Sequence, residues 1–171
     1  VNIINSKLEN FKFESTNASC EDALNIVNST GTVASINIQN SKYDGLDLDF
    51  SDILIRKLNI INAGNDCSDF SYGNYKLIDL SLKNCFDKAI SIGEKSIFNG
   101  ENVRAENSNI GLAAKDSATV NINYLNSMNN KYCIASYRKK QEFRSPNMNI
   151  EESNCSEGDI YNQIQNAESK K

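Results

Sequence analysis

The chain has 171 residues, 39% of them hydrophobic and none of them tryptophan, which fits one domain with a long, thin core better than a globe. A net charge of −4, with Lys and Arg scattered until Arg138-Lys139-Lys140, argues against a nucleic-acid surface. No apolar run reaches the roughly 18 to 20 residues of a membrane helix and no charged-then-apolar leader opens the chain; Val1 reads as a cut into a longer protein with a domain upstream.

In chain order, Leu8, Phe11 and Phe13 set an apolar-x-x-apolar-x-apolar phrase, followed by a turn-rich stretch from Ser15 to Ser19. The phrase returns as Val33, Ile36 and Ile38, as Ile55, Leu58 and Ile60, and as Leu77, Leu80 and Leu82, with weaker copies at Val103/Ala105 and Ile122/Leu125. Each copy is short and β-branched and ends in alternation, so it predicts a short strand. Two residues after the phrase stands an asparagine, at Asn40, Asn62, Asn84, Asn107 and Asn129. Asparagine tolerates left-handed backbone angles, so a stacked column of amides can make the same corner in every layer.

Beyond each corner comes a small residue, Ala23, Gly45, Cys67, Ala89, Gly111 or Cys133, each 22 positions after the last. A second short strand follows, as in Leu46-Asp47-Leu48 or Ile90-Ser91-Ile92, with the flanking residues pointing in and the middle one out. From Arg138 to Pro146 the register breaks in a polar inserted loop that holds the only proline. Asn154 and Gly158 fall 25 residues after Asn129 and Cys133, which predicts one more coil with a three-residue insertion. Residues 1–158 are thus assigned to the repeat and 159–171 to a C-terminal cap or tail.

A period of about 22 residues built of strands and turns predicts an all-β, single-stranded, right-handed parallel β-helix of six to seven coils. A leucine-rich repeat is the rival at this length, but its asparagine should lead into a helical or extended convex side, and here it leads into a strand with its own inward column. Five cysteines without a C-x-x-C pair or any histidine make zinc a poor fit. Cys67 and Cys133 lie in the small-residue column and are expected as buried thiols acting as small hydrophobes; the odd count rules out full intramolecular pairing.

The chain resembles right-handed parallel β-helix repeat proteins, the fold shared by pectate lyases and polygalacturonases. Asp44-Gly45-Leu46-Asp47-Leu48-Asp49-Phe50-Ser51, Ile90 to Ser96, Ile110 to Ser117 and Tyr137 to Phe143 are similar to the C-terminal β-helix segment of large bacterial surface or polysaccharide-associated proteins. The resemblance covers roughly residues 20 to 145. It implies the fold, an extracellular or cell-surface setting and an association with polysaccharide. The Gly-His-Gly element of the pectinase-type hydrolases is missing, since the chain has no histidine.

On the 22-residue grid Asp22, Asp44 and Asp66 share one outward column and Asp47 and Asp69 a second. Asp49 heads a third through Ser71, Gly93 and Lys115. Stacked like charges repel, so a cation, raised pKa values or exposure must relieve them. Asp44, Asp47, Asp66 and Asp69 are therefore candidate calcium ligands, or simply an exposed face in which Asp44 and Asp66 make turns. Asp47, Asp69 and Lys115 are the candidates for acid/base work on a glycosidic bond or a uronate. Glu94, Asp116 and Arg138 form a neighbouring column, read either as a surface ion ladder or, with Lys115 and Lys139, as one end of an anion-binding groove. Tyr137 offers a platform for a sugar ring. The expected function is an acidic-polysaccharide-binding, or polysaccharide-processing, module whose ligand contacts are Asp44, Asp49, Glu94, Asp116, Tyr137, Arg138 and Lys139. The alternative is a non-catalytic structural or interaction rod accessory to another domain.

Overall fold

The computed structural model describes residues 1–156 and 158–162, and among them every regular element is a strand. In chain order these are β1 (Asn2–Ile4), β2 (Lys7–Thr16), β3 (Asp22–Val27), β4 (Thr30–Ser41), β5 (Asp44–Asp49), β6 (Asp52–Ala63), β7 (Ser68–Ser71) and β8 (Asn74–Cys85). They continue with β9 (Lys88–Gly93), β10 (Ile97–Glu106), β11 (Ile110–Lys115), β12 (Thr119–Met128), β13 (Tyr132–Tyr137), β14 (Asn147–Ser156) and β15 (Asp159–Asn162). Odd strands form one sheet in the order β1-β3-β5-β7-β9-β11-β13-β15, and even strands a second in the order β14-β12-β10-β8-β6-β4-β2. All neighbours are parallel, with partners such as Leu46↔Ser68 and Leu58↔Leu80 one period apart. The molecule is therefore a parallel β-solenoid of about seven coils, a rod roughly 30 Å long at ~4.8 Å per coil. The strand after each asparagine corner removes the leucine-rich alternative. No helix among the described residues is long and apolar enough to cross a membrane.

One core runs the length of the rod, because every coil aims the same columns inward. Leu24, Leu46, Ile90 and Leu112 face Ile36, Leu58, Leu80 and Val103, all within 1% of complete burial. The amide corner forms as the sequence predicts: Asn40, Asn62, Asn84, Asn107 and Asn129 all have positive φ, and Asn17 adds a rung below them. Each Nδ2 donates to the Oδ1 one coil earlier, from Asn40 to Asn17 at 3.0 Å, Asn62 to Asn40 at 2.8 Å, Asn84 to Asn62 at 2.8 Å and Asn107 to Asn84 at 3.1 Å. The opposite corner, after each odd strand, also needs positive φ, and there Phe50 (51°) and Tyr72 (50°) adopt it. Left-handed angles cost a bulky residue on the order of 1–2 kcal/mol. The rings stack, centroids 4.7 Å apart and 5° from parallel, which offsets part of that cost.

Four expectations from the periodicity change. In the first coil Phe13 pairs with Ile36 and Phe11 with Val33, not Phe11 with Ile36, because β2 is irregular between Leu8 and Lys12. Leu8 instead lies opposite Gly31, whose φ of 122° and lack of a Cβ let it approach the Leu8 carbonyl. Cys67 and Cys133 are buried but are not thiols: Cys67 is bonded to Cys85 and Cys133 to Cys155, with Cα atoms 5.3 and 5.7 Å apart. The partner column lies across the amide corner, a proximity that counting along one column cannot reveal. The final insertion is not three residues in either sheet: β12 pairs with β14 at an offset of 28 (Asn126↔Asn154), six beyond the period, and β13 with β15 at 26 (Ile134↔Ile160), four beyond it. Asn154 accordingly donates to Asn126 at 3.1 Å and does not stack on Asn129. Finally, Asp159–Asn162 of the expected cap is a strand paired with β13, while 163–171 lie outside the described residues.

Each disulfide closes a loop of about 20 residues, for which the chain-entropy argument gives about 3 kcal/mol. Under non-reducing denaturation one thiol of the five, Cys20, is expected to alkylate. Replacing Cys67 and Cys85 together by Ser should cost about 2–4 kcal/mol in denaturant unfolding; finding three or more alkylated cysteines contradicts the pairing.

Candidate functional site

Strand alternation points Leu46 and Leu48 inward and Asp47 and Asp49 outward, and the parallel register repeats that choice up the odd sheet. Its outward surface therefore consists of three columns. The first reads Asp22, Asp44, Asp66, Lys88, Ile110, Tyr132; the second Asn25, Asp47, Asp69, Ser91, Ala113, Ala135, Tyr161; the third Val27, Asp49, Ser71, Gly93, Lys115, Tyr137. Acid is collected at one end, tyrosine at the other, and small residues lie between.

In the first column each carboxylate braces the next coil. Asp44 Oδ1 accepts the Asp66 N–H at 2.8 Å and the Asn65 side-chain amide at 2.7 Å. Asp66 Oδ1 accepts the Lys88 N–H at 3.0 Å, while Lys88 Nζ reaches both Asp66 oxygens at 3.2 and 3.3 Å and also contacts Asp87. Burial lowers the affinity of Lys88 for its proton, but Asp66 and Asp87 together raise it further. Burial pushes the Asp66 carboxyl up to about 6; Lys88 works against that shift, while Asp69 and Asp44 add to it. Both aspartates thus brace the coil that follows, Asp66 from a buried position and not from the exposed face that one reading of the sequence offered.

Asp47 lies in the middle of the acid group without a cation beside it. Burial, then repulsion from Asp49, Asp69, Asp22 and Asp44, pushes its carboxyl up to about 8. Burial likewise raises Asp49, with Asp69 and Glu94 adding to it. Asp69 is treated differently: its Oδ1 accepts the Phe70 N–H at 2.9 Å and its Oδ2 lies 3.6 Å from Lys115 Nζ. Lys115 sits two coils away and spans the gap by lying across Gly93, where a Cβ would come within 2.8 Å of its Cε. Gly93 is therefore the residue that lets Lys115 reach the acid end, and the Lys115 side chain is only 4% exposed.

The expected Glu94–Asp116–Arg138 ion ladder takes another form. Glu94 Oε2 accepts from Ser71 at 2.6 Å and Oε1 pairs with Lys140 at 2.7 Å, and these partners hold its carboxyl low although burial works the other way. Asp116 is fully buried, and its Oδ1 accepts the backbone N–H groups of Lys139 and Lys140 at 2.7 and 2.8 Å. Lys139 thus contributes its main chain to Asp116, Arg138 opens the inserted loop, and Lys140 supplies the cation. The same loop seats Phe143 edge-on to Tyr72 at 6.3 Å.

At the far end Tyr161 stands edge-on to Tyr132 at 6.1 Å and to Tyr137 at 6.4 Å. With Ile110 and Ala135 they enclose a pocket of about 340 Å³. Tyr137 was the one member legible beforehand. Lys88 and Tyr132 follow from continuing the Asp44–Asp66 column by further periods, whereas Tyr161 was hidden by the insertion that shifts its register. Among the described residues no three His, Cys, Asp or Glu side chains, the calcium candidates Asp44, Asp47, Asp66 and Asp69 included, converge as a metal site. The reason is geometric: Asp44, Asp66 and Asp69 are turned onto backbone N–H groups and lysines.

Comparison with known proteins finds no matching family model, no matching curated protein and no matching solved structure.

A raised carboxyl binds its proton more tightly folded than unfolded. The stability that Asp47 and Asp66 contribute is thus complete below the unfolded value near ~3.9 and is lost as pH rises through about 6 and about 8. The melting temperature should fall between pH 5 and pH 8.5, and Asp47→Asn should flatten that fall and raise stability at pH 8.5; an equal slope in the variant contradicts the shift.

Proposed function

We propose that the chain is a glycan-binding solenoid module whose ligand lies along the outward face of the odd sheet. The observation that carries this reading is the pocket that Tyr132, Tyr137 and Tyr161 form with Ile110 and Ala135 on that face. A pyranose ring stacks on tyrosine through its C–H face. Its hydroxyls would meet Asp47, Asp49 and Asp69 further along, where carboxylates accept hydrogen bonds and a protonated Asp47 donates one.

The cations narrow the ligand. Lys88 and Lys115 are already paired with Asp66, Asp87 and Asp69, and the Glu94 carboxylate holds Lys140. An acidic polysaccharide would have to displace those partners beside a row of aspartates, so the face suits a sugar rich in hydroxyls better than a uronate. Binding, not processing, is the reading favoured here, because Lys115, the base candidate beside Asp47 and Asp69, is already paired with Asp69. Two disulfides in one small domain favour an extracellular or cell-surface setting, where thiols are oxidised.

The structural-rod reading is favoured by a specific feature as well: stacked amides and disulfides stiffen the solenoid at one corner throughout its length. Affinity electrophoresis through gels containing neutral and acidic polysaccharides separates the two. The module is expected to be retarded by at least one glycan, and Tyr137→Ala should weaken that retardation about ten-fold. No retardation in any gel, or retardation that Tyr137→Ala leaves intact, leaves the rod reading in its place.

A further inference from the structure

A cavity larger than the tyrosine pocket lies elsewhere, along the amide corner. It is a groove of about 770 Å³ that runs over several coils. One wall is the asparagine ladder from Asn40 to Asn129, and the floor is made by the small side chains of Ser41, Ala63, Cys85 and Ser108. The other wall contains Gly64 and then Phe86, which is 79% exposed. The Phe86 ring thus stands in water beside a floor of small side chains.

We propose that this corner groove is a second binding site, for an uncharged glycan chain lying parallel to the solenoid axis. The ladder sets the hydrogen-bonding pattern. A carboxamide has two N–H donors and two acceptor lone pairs, and stacking between coils uses one of each at Asn40, Asn62 and Asn84. A donor and an acceptor therefore remain at every rung, repeated at ~4.8 Å along a straight line. A pyranose chain advances by one ring in about that rise and offers hydroxyls at each step. An extended polypeptide advances ~3.3–3.4 Å per residue, so its amides fall out of step with the rungs. Phe86 adds the ring on which a sugar face stacks. No Asp, Glu, Lys or Arg lines the groove, which is why the ligand is assigned as uncharged. The site is separate from the tyrosine face, and either can fail without the other.

The test is a titration of the ¹⁵N-labelled chain with cellohexaose, xylohexaose, maltohexaose and chitohexaose, and with an extended octapeptide as a competing class. At least one sugar is expected to shift the side-chain amide signals of Asn62, Asn84 and Asn107. Phe86→Ala should weaken that response about ten-fold, Phe86→Tyr should retain it, and Tyr137→Ala should leave it unchanged. Phe86 is exposed, and an otherwise unaltered spectrum of each variant verifies the fold. The proposal is overturned if no sugar moves the ladder signals, if Phe86→Ala binds as the parent does, or if only the peptide moves them. Shifts confined to Ser91, Tyr132 and Tyr137 would overturn it while supporting the strand-face site.

Discussion

Everything in this molecule depends on the parallel backbone ladder that sets each coil directly over its predecessor. Parallel pairing in constant register places residue i above residue i minus 22, so whatever chemistry one coil presents, the next must match or tolerate. Apolar columns profit without exception, which is why the interior is continuous from Leu24 to Ile134. Polar columns fare according to their valence. Amides donate and accept, so asparagine over asparagine is self-satisfying and can be repeated indefinitely. Aromatic rings stack at the coil spacing, as Phe50 and Tyr72 do at a corner where their backbone angles alone would be unfavourable.

Carboxylates have no such solution, since an ionised column is all acceptor and all negative. The acid end of the odd sheet shows three ways out. Asp44 and Asp66 turn toward main-chain donors of the next coil. Asp66 and Asp69 take lysines from later coils, one from the same column and one reaching across a glycine. Asp47 takes neither route, and burial together with the neighbouring carboxylates pushes its carboxyl up to about 8. Neighbours at equivalent positions of the repeat thus acquire different proton affinities and different partners.

Concave space arises where the repeat thins out. Tyrosines at the end of the odd sheet frame one pocket, and small residues beside the asparagines open the corner groove. The corner groove runs over several coils, in the direction in which the molecule repeats.

The sequence by itself determined the coil. Its 22-residue period, the inward phrases such as Ile55, Leu58 and Ile60, the asparagine corner and the three acidic columns are all local or one period apart, and strict stacking carries them into space unchanged. Tertiary structure alone decided what depends on contacts across columns or on a broken period. Cys67 meets Cys85 because the coil closes on itself at the corner, not because their spacing matches the repeat. Lys115 meets Asp69 two coils away because its long stem crosses Gly93. Tyr161 joins Tyr132 and Tyr137, and Lys140 reaches Glu94, because the insertion after Tyr137 shifts the register, by four residues where β15 pairs with β13 and by six where β14 pairs with β12. Periodicity predicts what lies above a residue; only the folded backbone decides what lies beside it.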